Sequence, residues 1–143
     1  MKMSKYYLLD TNILSELIKQ PSGLLAQRIT QLDNDSFCTS IIVACELRYG
    51  AFKKNSPHLL EKVELLLANM VIAPLGDDVD HCYAELRVSL EKQGHPIGAN
   101  DMLIAAHALA LNATLITANE REFLRVPTLS VENWLSSLCT TKI

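Results

Sequence analysis

Four acidic positions stand out, because the residues around them offer no obvious partner. Asp10 ends the apolar run Tyr6-Tyr7-Leu8-Leu9 and is followed at once by Thr11-Asn12. Glu46 lies inside Ile41-Ile42-Val43-Ala44-Cys45-Glu46-Leu47, the most apolar helix start in the chain. Its helical neighbours three and four positions away, Ile42, Val43, Tyr49 and Gly50, include no cation, so no pair on its own helix can satisfy it. Asp101 opens an apolar segment after the loop Gly94 to Asn100, and Glu122 closes the polar run Thr117-Ala118-Asn119-Glu120-Arg121-Glu122. Each has an ordinary explanation when taken alone. Asp10 or Asn12 can cap the helix that follows, and Asp101 can do the same. Glu46 can turn outward or meet a distant Arg or Lys, and the last cluster can be a solvated loop.

The elements that must carry these residues alternate along the chain. Tyr6 to Leu9 has apolar residues without helical spacing, the pattern of a short buried strand. Ile13 to Lys19 is a helix that Pro21 stops, and a second helix runs from Leu24 to Leu32 before Asp33-Asn34-Asp35 breaks it. Ser36 to Thr39 is the second strand, and Ser40 caps a helix from Ile41 to Phe52. His58 to Asn69 is amphipathic, Met70 to Leu75 is the third strand, and Gly76-Asp77-Asp78 opens a helix to Gln93. The segment Asp101 to Leu111 is apolar nearly all round, which predicts burial on several sides, with Asn100 as its cap. Thr114 to Thr117 is the fourth strand, Val126 to Val131 a weak edge strand, and Glu132 to Leu138 a final helix. Short apolar strands alternating with helices predict an α/β fold: one domain over 1–143, with a central, mostly parallel sheet of four to five short strands flanked by helices.

In that fold the acids follow one rule. Asp10, Glu46, Asp101 and the Asn119/Glu122 loop each lie at a strand end or in the first turns of a helix, so all can converge at one edge of the sheet. Carboxylates gathered without matching Lys or Arg need a cation. Oxygen-only ligands favour Mg²⁺ or Mn²⁺, since neither a Cys/His set nor a calcium loop is present. Such a site acts on phosphates: the metal activates a water, orients a phosphodiester and offsets charge on the leaving oxygen.

The bulk properties agree. In 143 residues, 49% are hydrophobic and 20% charged, with a net charge of −3 and no basic block, which disfavours gripping nucleic acid by charge alone. Cations held at an acidic cleft would let it receive a polyanion all the same. No apolar run is long enough to span a bilayer, and Asp10 interrupts the N-terminal one, which is not the pattern of a signal peptide. Cys38, Cys45, Cys82 and Cys139 form no C-x-x-C pair and sit mostly among apolar residues, so they are expected as small core residues in a reducing cytoplasm.

At Leu8 to Asn12, Ser40 to Gly50, Gly98 to Ala108 and Leu115 to Phe123 the chain resembles the PIN-domain ribonucleases, and within them the VapC toxins of bacterial toxin–antitoxin pairs. These stretches follow the family's order and spacing over essentially the whole chain. By that resemblance Asp10, Glu46 and Asp101 match the metal-binding acidic triad. Many PIN domains carry Asp where this chain has Asn119, so the fourth acidic role is left to Glu122 or to a water held by Asn119, and one metal or two remain open. Thr11 and Thr117 match polar positions lining the site, and Asn12 supports it from behind. The resemblance implies Mg²⁺-dependent hydrolysis of RNA by an activated water, with no nucleophilic side chain. It also implies a VapB-like antitoxin whose C-terminal segment covers the cleft, operator DNA bound only through that antitoxin complex, a homodimer, and tRNA as substrate, cut in the anticodon loop of the initiator tRNA in enteric relatives.

Other residues carry less. Arg48, Lys53, Lys54, Arg87, Lys92, Arg121 and Arg125 are candidates for phosphate contact, with Arg121 foremost, although surface cations are usually just solvated. His95, His107 and Trp134 are expected to be structural. Three other readings compete. A catalytically impaired PIN-like module that binds a partner or RNA is favoured only by Asn119. A receiver-like regulatory domain lacks its second acid beside the first strand, its central phosphoacceptor Asp and its late Lys. A deoxyribonuclease would use the same acidic cluster, which senses phosphate and not the 2′-hydroxyl.

Overall fold

The computed structural model describes residues 5–135. Strand β1 (Tyr7–Leu9) is followed by helices α1 (Thr11–Lys19) and α2 (Leu24–Thr30), then strand β2 (Phe37–Ser40) and helices α3 (Ile41–Lys53) and α4 (Pro57–Ala68). Strand β3 (Ile72–Ala73), helices α5 (Val79–Gln93) and α6 (Ala99–Ala110), strand β4 (Thr114–Ile116), helix α7 (Glu120–Phe123) and strand β5 (Val131–Glu132) complete the order. Strands β1 and β2 are short because each is an apolar run cut by a helix cap. Asp10 ends β1, and Ser40 ends β2 while its hydroxyl accepts the Ile42 N–H.

All five strands are parallel and lie in the order β3-β2-β1-β4-β5. From the central β1 the chain first builds outward through β2 and β3, then returns to place β4 and β5 on the other side. The crevice at the carboxyl ends of β1 and β4, where the winding direction changes, is where such sheets bind ligands. Register puts the last residue of β1, Leu9, opposite Thr39 on one side and Ile116 on the other. Asp10 and Thr117, one residue further along each strand, therefore emerge side by side.

The core lies on both faces of the sheet. Leu8, Leu9, Leu115 and Ile116 from the strands are wholly buried, as are Ile13, Leu14, Val43 and Leu90 from the covering helices. Helix α6 buries Met102 and every residue from Ile104 to Ala108, as its apolar sequence predicts. Trp134 is a core anchor: its ring meets Tyr7 edge-on at 5.0 Å, and the Arg28 guanidinium stacks on it at 4.3 Å. No helix of the described residues is long and apolar enough to cross a membrane.

Several boundaries differ from the sequence reading. Helix α6 begins at Ala99 with Gly98 as its cap, so Asn100 does not cap it and Asp101 is its third residue. The edge strand contracts to Val131–Glu132, the two residues that β4 can pair in register. The three described cysteines are free, but only Cys38 is buried; Cys45 is exposed, because α3 turns Val43, Ala44 and Leu47 inward instead. Cys139 and the last residues of the expected C-terminal helix lie outside the described residues.

His107 on α6 is 1% exposed and joins that helix to the head of α3. The Ser40 hydroxyl already accepts the Ile42 N–H, so its own proton is free to donate to His107 Nδ1, 2.8 Å away. Burial lowers the His107 pKa, with the nearby Pro74 backbone opposing it only in part, and Nε2 makes no well-formed hydrogen bond. The folded state thus disfavours the imidazolium. Its contribution to stability is complete above the unfolded value of about 6.5 and is lost as pH falls below it. His107→Gln should therefore flatten the acid loss of melting temperature: the difference between wild type and variant should shrink as pH drops from about 7 to 5. A difference that stays constant with pH would contradict the assignment.

Candidate active site

Asp10 is 4% exposed at the end of β1, and both of its oxygens are held. Oδ1 accepts the Thr11 N–H at 2.8 Å, and Oδ2 accepts the Thr117 hydroxyl at 2.8 Å. Capping and site-building therefore coincide: one oxygen serves the helix while the other turns to β4. Thr117 is the hub. Its oxygen also accepts the Asn119 N–H at 3.0 Å and the Asn12 side-chain amide at 3.4 Å. Asn12 Oδ1 in turn accepts the Ala118 N–H at 2.9 Å, tying the start of α1 to the loop after β4.

Thr117→Val keeps the shape and removes the hydroxyl, leaving buried Asp10 short of one hydrogen bond. It should cost about 1–3 kcal/mol of stability and weaken divalent-cation binding by roughly 10–100-fold. Calorimetric titration and a melting curve check both, and unchanged cation affinity would rule out a supporting role.

Glu46, half-buried on α3, is turned inward. Oε1 accepts the Thr11 hydroxyl at 2.5 Å and Oε2 the Asn100 side-chain amide at 3.4 Å. So Glu46 finds neutral donors on α1 and α6, not a distant Arg or Lys. Asp101 projects from the first turn of α6, and Glu122 on α7 accepts the Asn119 side-chain amide at 2.9 Å.

Asp10, Thr11, Asn12, Glu46, Asp101 and Asn119 line one cleft of about 460 Å³. The electrostatics agree with that convergence. Burial is the main cause lifting the Asp101 pKa to about 6, and the charges of Asp10, Glu122 and Glu46, with a Glu122 hydrogen bond, push it the same way. Burial also raises the Asp10 pKa, against the Thr117 and Thr11 hydrogen bonds that favour its carboxylate, while Glu46 adds to the rise.

None of the ion pairs among the described residues includes any of these four acids. A set of oxygen donors in which burial, then neighbouring carboxylates, raises the Asp10 and Asp101 pKa values fits a hard divalent cation. Among the described residues no three His, Cys, Asp or Glu side chains form a ready-made cage for an ion.

A PIN-domain model matches residues 7–129. The chain belongs to the PIN-domain family. Among its relatives, a "Ribonuclease VapC1" of Haemophilus influenzae is 40% identical over 130 residues, covering 90% of this chain and 97% of that protein. A "tRNA(fMet)-specific endonuclease VapC" of Shigella flexneri is 32% identical over 129 residues, again 90% of this chain and 97% of the other. The structure of VapBC2 from Rickettsia felis bound to a promoter DNA fragment superposes with a TM-score of 0.84 at 39% identity, covering 90% of this chain and 98% of that one. The α/β fold with its parallel sheet is thus the VapC-type PIN fold.

Two features of this PIN cleft escape the sequence reading. Ser15, Glu16 and Lys19 line it as well. With Asn12 they form a polar stripe at positions i, i+3, i+4 and i+7 on α1, a spacing visible in the sequence once Asp10 is placed at the helix start. Arg121, by contrast, is exposed on α7 and is not among the cleft-lining residues. Arg48 and Arg87 are engaged by Glu64 and Glu91. A larger open concavity of about 660 Å³ on the outer face of α5, between Ala84 and Gln93, contains none of the site residues.

Proposed function

We propose that this PIN-domain chain is the toxin of a type II toxin–antitoxin pair, a divalent-metal-dependent endoribonuclease in which Asp10, Glu46 and Asp101 hold the cation. The observation that carries the reading is the cleft: three carboxylates from three separate elements face it, none is ion-paired among the described residues, and Asp101 is lifted to about 6 by burial and then by the neighbouring carboxylates. Mg²⁺ or Mn²⁺ suits such donors, and when bound it would supply an activated water and offset charge on the leaving oxygen.

The chain's own groups divide the remaining work. Burial favours the neutral form of Asp10; the Thr117 hydroxyl and the Thr11 amide oppose it and fix the carboxylate in direction. Thr11 and Asn100 aim Glu46 inward. Glu122, oriented by Asn119, supplies the fourth acid beside Asp101. Asn119 supports the site through Glu122, since an amide cannot replace a carboxylate's charge. Arg121, outside the cleft, is at most an outlying substrate contact.

The Haemophilus and Shigella names support RNA as the substrate, and the latter makes the initiator tRNA the first one to offer; the family resemblance points to its anticodon loop as the place of cutting. The Rickettsia complex supports a VapB-like antitoxin as partner, with operator DNA reached through that complex. A homodimer and a cytoplasmic location complete the reading.

Induced expression in a bacterial host supplies a direct test. Wild type should arrest growth, Asp10→Asn should not, and co-expression of a VapB-like antitoxin should relieve the arrest. Equal toxicity of wild type and Asp10→Asn would overturn the assignment.

A further inference from the structure

Lys19 and Lys54 are cations that the acidic cleft does not explain. Lys19 ends α1 and lines the cleft, and it also lines a narrower groove of about 180 Å³ bounded by α1, α3 and α4. The two concavities share Thr11, Ser15, Lys19 and Glu46, so they adjoin across these side chains. Lys54, the C-terminal cap of α3, lies further along the groove, whose floor is apolar and includes Leu47, Ala51 and Val63. Among the described residues neither lysine forms an ion pair.

A strand entering a carboxylate cleft is repelled everywhere except at the bound cation, so unpaired ammonium groups beside its exit have a use. A narrow apolar floor edged by such groups suits the backbone of a single strand, with sugar faces below and phosphates at the edge. Resting on the nuclease reading, we propose that RNA flanking the scissile phosphate leaves the cleft along this groove, with its phosphates on Lys19 and Lys54.

The test is steady-state cleavage of a fluorescent tRNA anticodon stem-loop, with Mg²⁺ present, over a range of salt. Lys19→Gln and Lys54→Gln are compared singly and together, with Lys→Arg at both positions as the rescue. The double variant should raise KM roughly tenfold with kcat nearly unchanged. Each lost lysine should reduce the slope of log KM against log salt by about 0.7, the value for one single-strand phosphate contact, and Arg should restore both. Unchanged KM and salt slope in variants of an active wild type overturn the proposal. So does weaker inhibition by antitoxin with RNA parameters intact, because the groove would then seat a peptide. An inactive wild type would instead remove the nuclease reading itself.

Discussion

Asp101→Asn should make the metal-free protein more stable while removing its nuclease activity. With Asp101 lifted to about 6 in the fold, against about 3.9 in an unfolded chain, the folded state holds an extra proton between those values. The ionised carboxylate therefore costs stability above about pH 6, and that cost fades as pH falls toward 4. An uncharged amide escapes it. Because Asp101 is only half-buried, solvent screens the effect, and a gain of about 1 kcal/mol is expected at pH 7, or about 4 °C in melting temperature. The gain should vanish near pH 4, where wild-type Asp101 is also neutral. Cleavage should drop by roughly a thousandfold, since a cation ligand has been lost. Melting in EDTA at pH 7 and pH 4 checks the first part and an RNA cleavage assay the second. A variant less stable than wild type at pH 7 would mean that the carboxylate is satisfied by something other than a cation.

The second large effect is stabilisation by metal. A cation that binds only the folded cleft raises stability by about 2.7 kcal/mol at roughly 100 times its dissociation constant. Mg²⁺ or Mn²⁺ should thus raise the melting temperature at pH 7 well beyond what equal ionic strength of a monovalent salt does. The increment should shrink below about pH 6, because protonated Asp101 no longer offers a ligand and the cation must displace that proton. Asp10→Asn and Glu46→Gln should each abolish most of it. An increment of equal size in all three proteins would place the cation elsewhere.

Much of this was legible in the sequence, and the reasons are particular. Asp10 is conspicuous because it terminates a buried strand, and Glu46 because its helix offers it no cation, so both flag themselves by breaking a pattern. The α6 helix announces its burial through composition, and Ser40 its cap through position. What stayed hidden depended on neighbours distant in sequence. Asn100 looks like a cap until the chain folds and Gly98 takes that place, freeing Asn100 to meet Glu46. Cys45 looks apolar like its neighbours, but helix phase turns it to solvent. The edge strand shrank to two residues because pairing with β4, not local propensity, defines it. The hub role of Thr117 needs β1 and β4 to be adjacent, which strand order alone decides. Lys19 closes a polar stripe on α1 that the sequence spacing shows, but its nearness to both the cleft and the groove appears only in the fold.

The most direct measurement is cleavage of total tRNA by the purified, antitoxin-free protein. It should be run with Mg²⁺, with EDTA, and with Asp10→Asn and Asp101→Asn in Mg²⁺. Discrete cuts that require the cation and disappear in both variants are the predicted result, and sequencing the products identifies the RNA target. Cuts that persist in EDTA or in either variant, or RNA that binds without being cut, would contradict a metal-dependent nuclease built on these carboxylates.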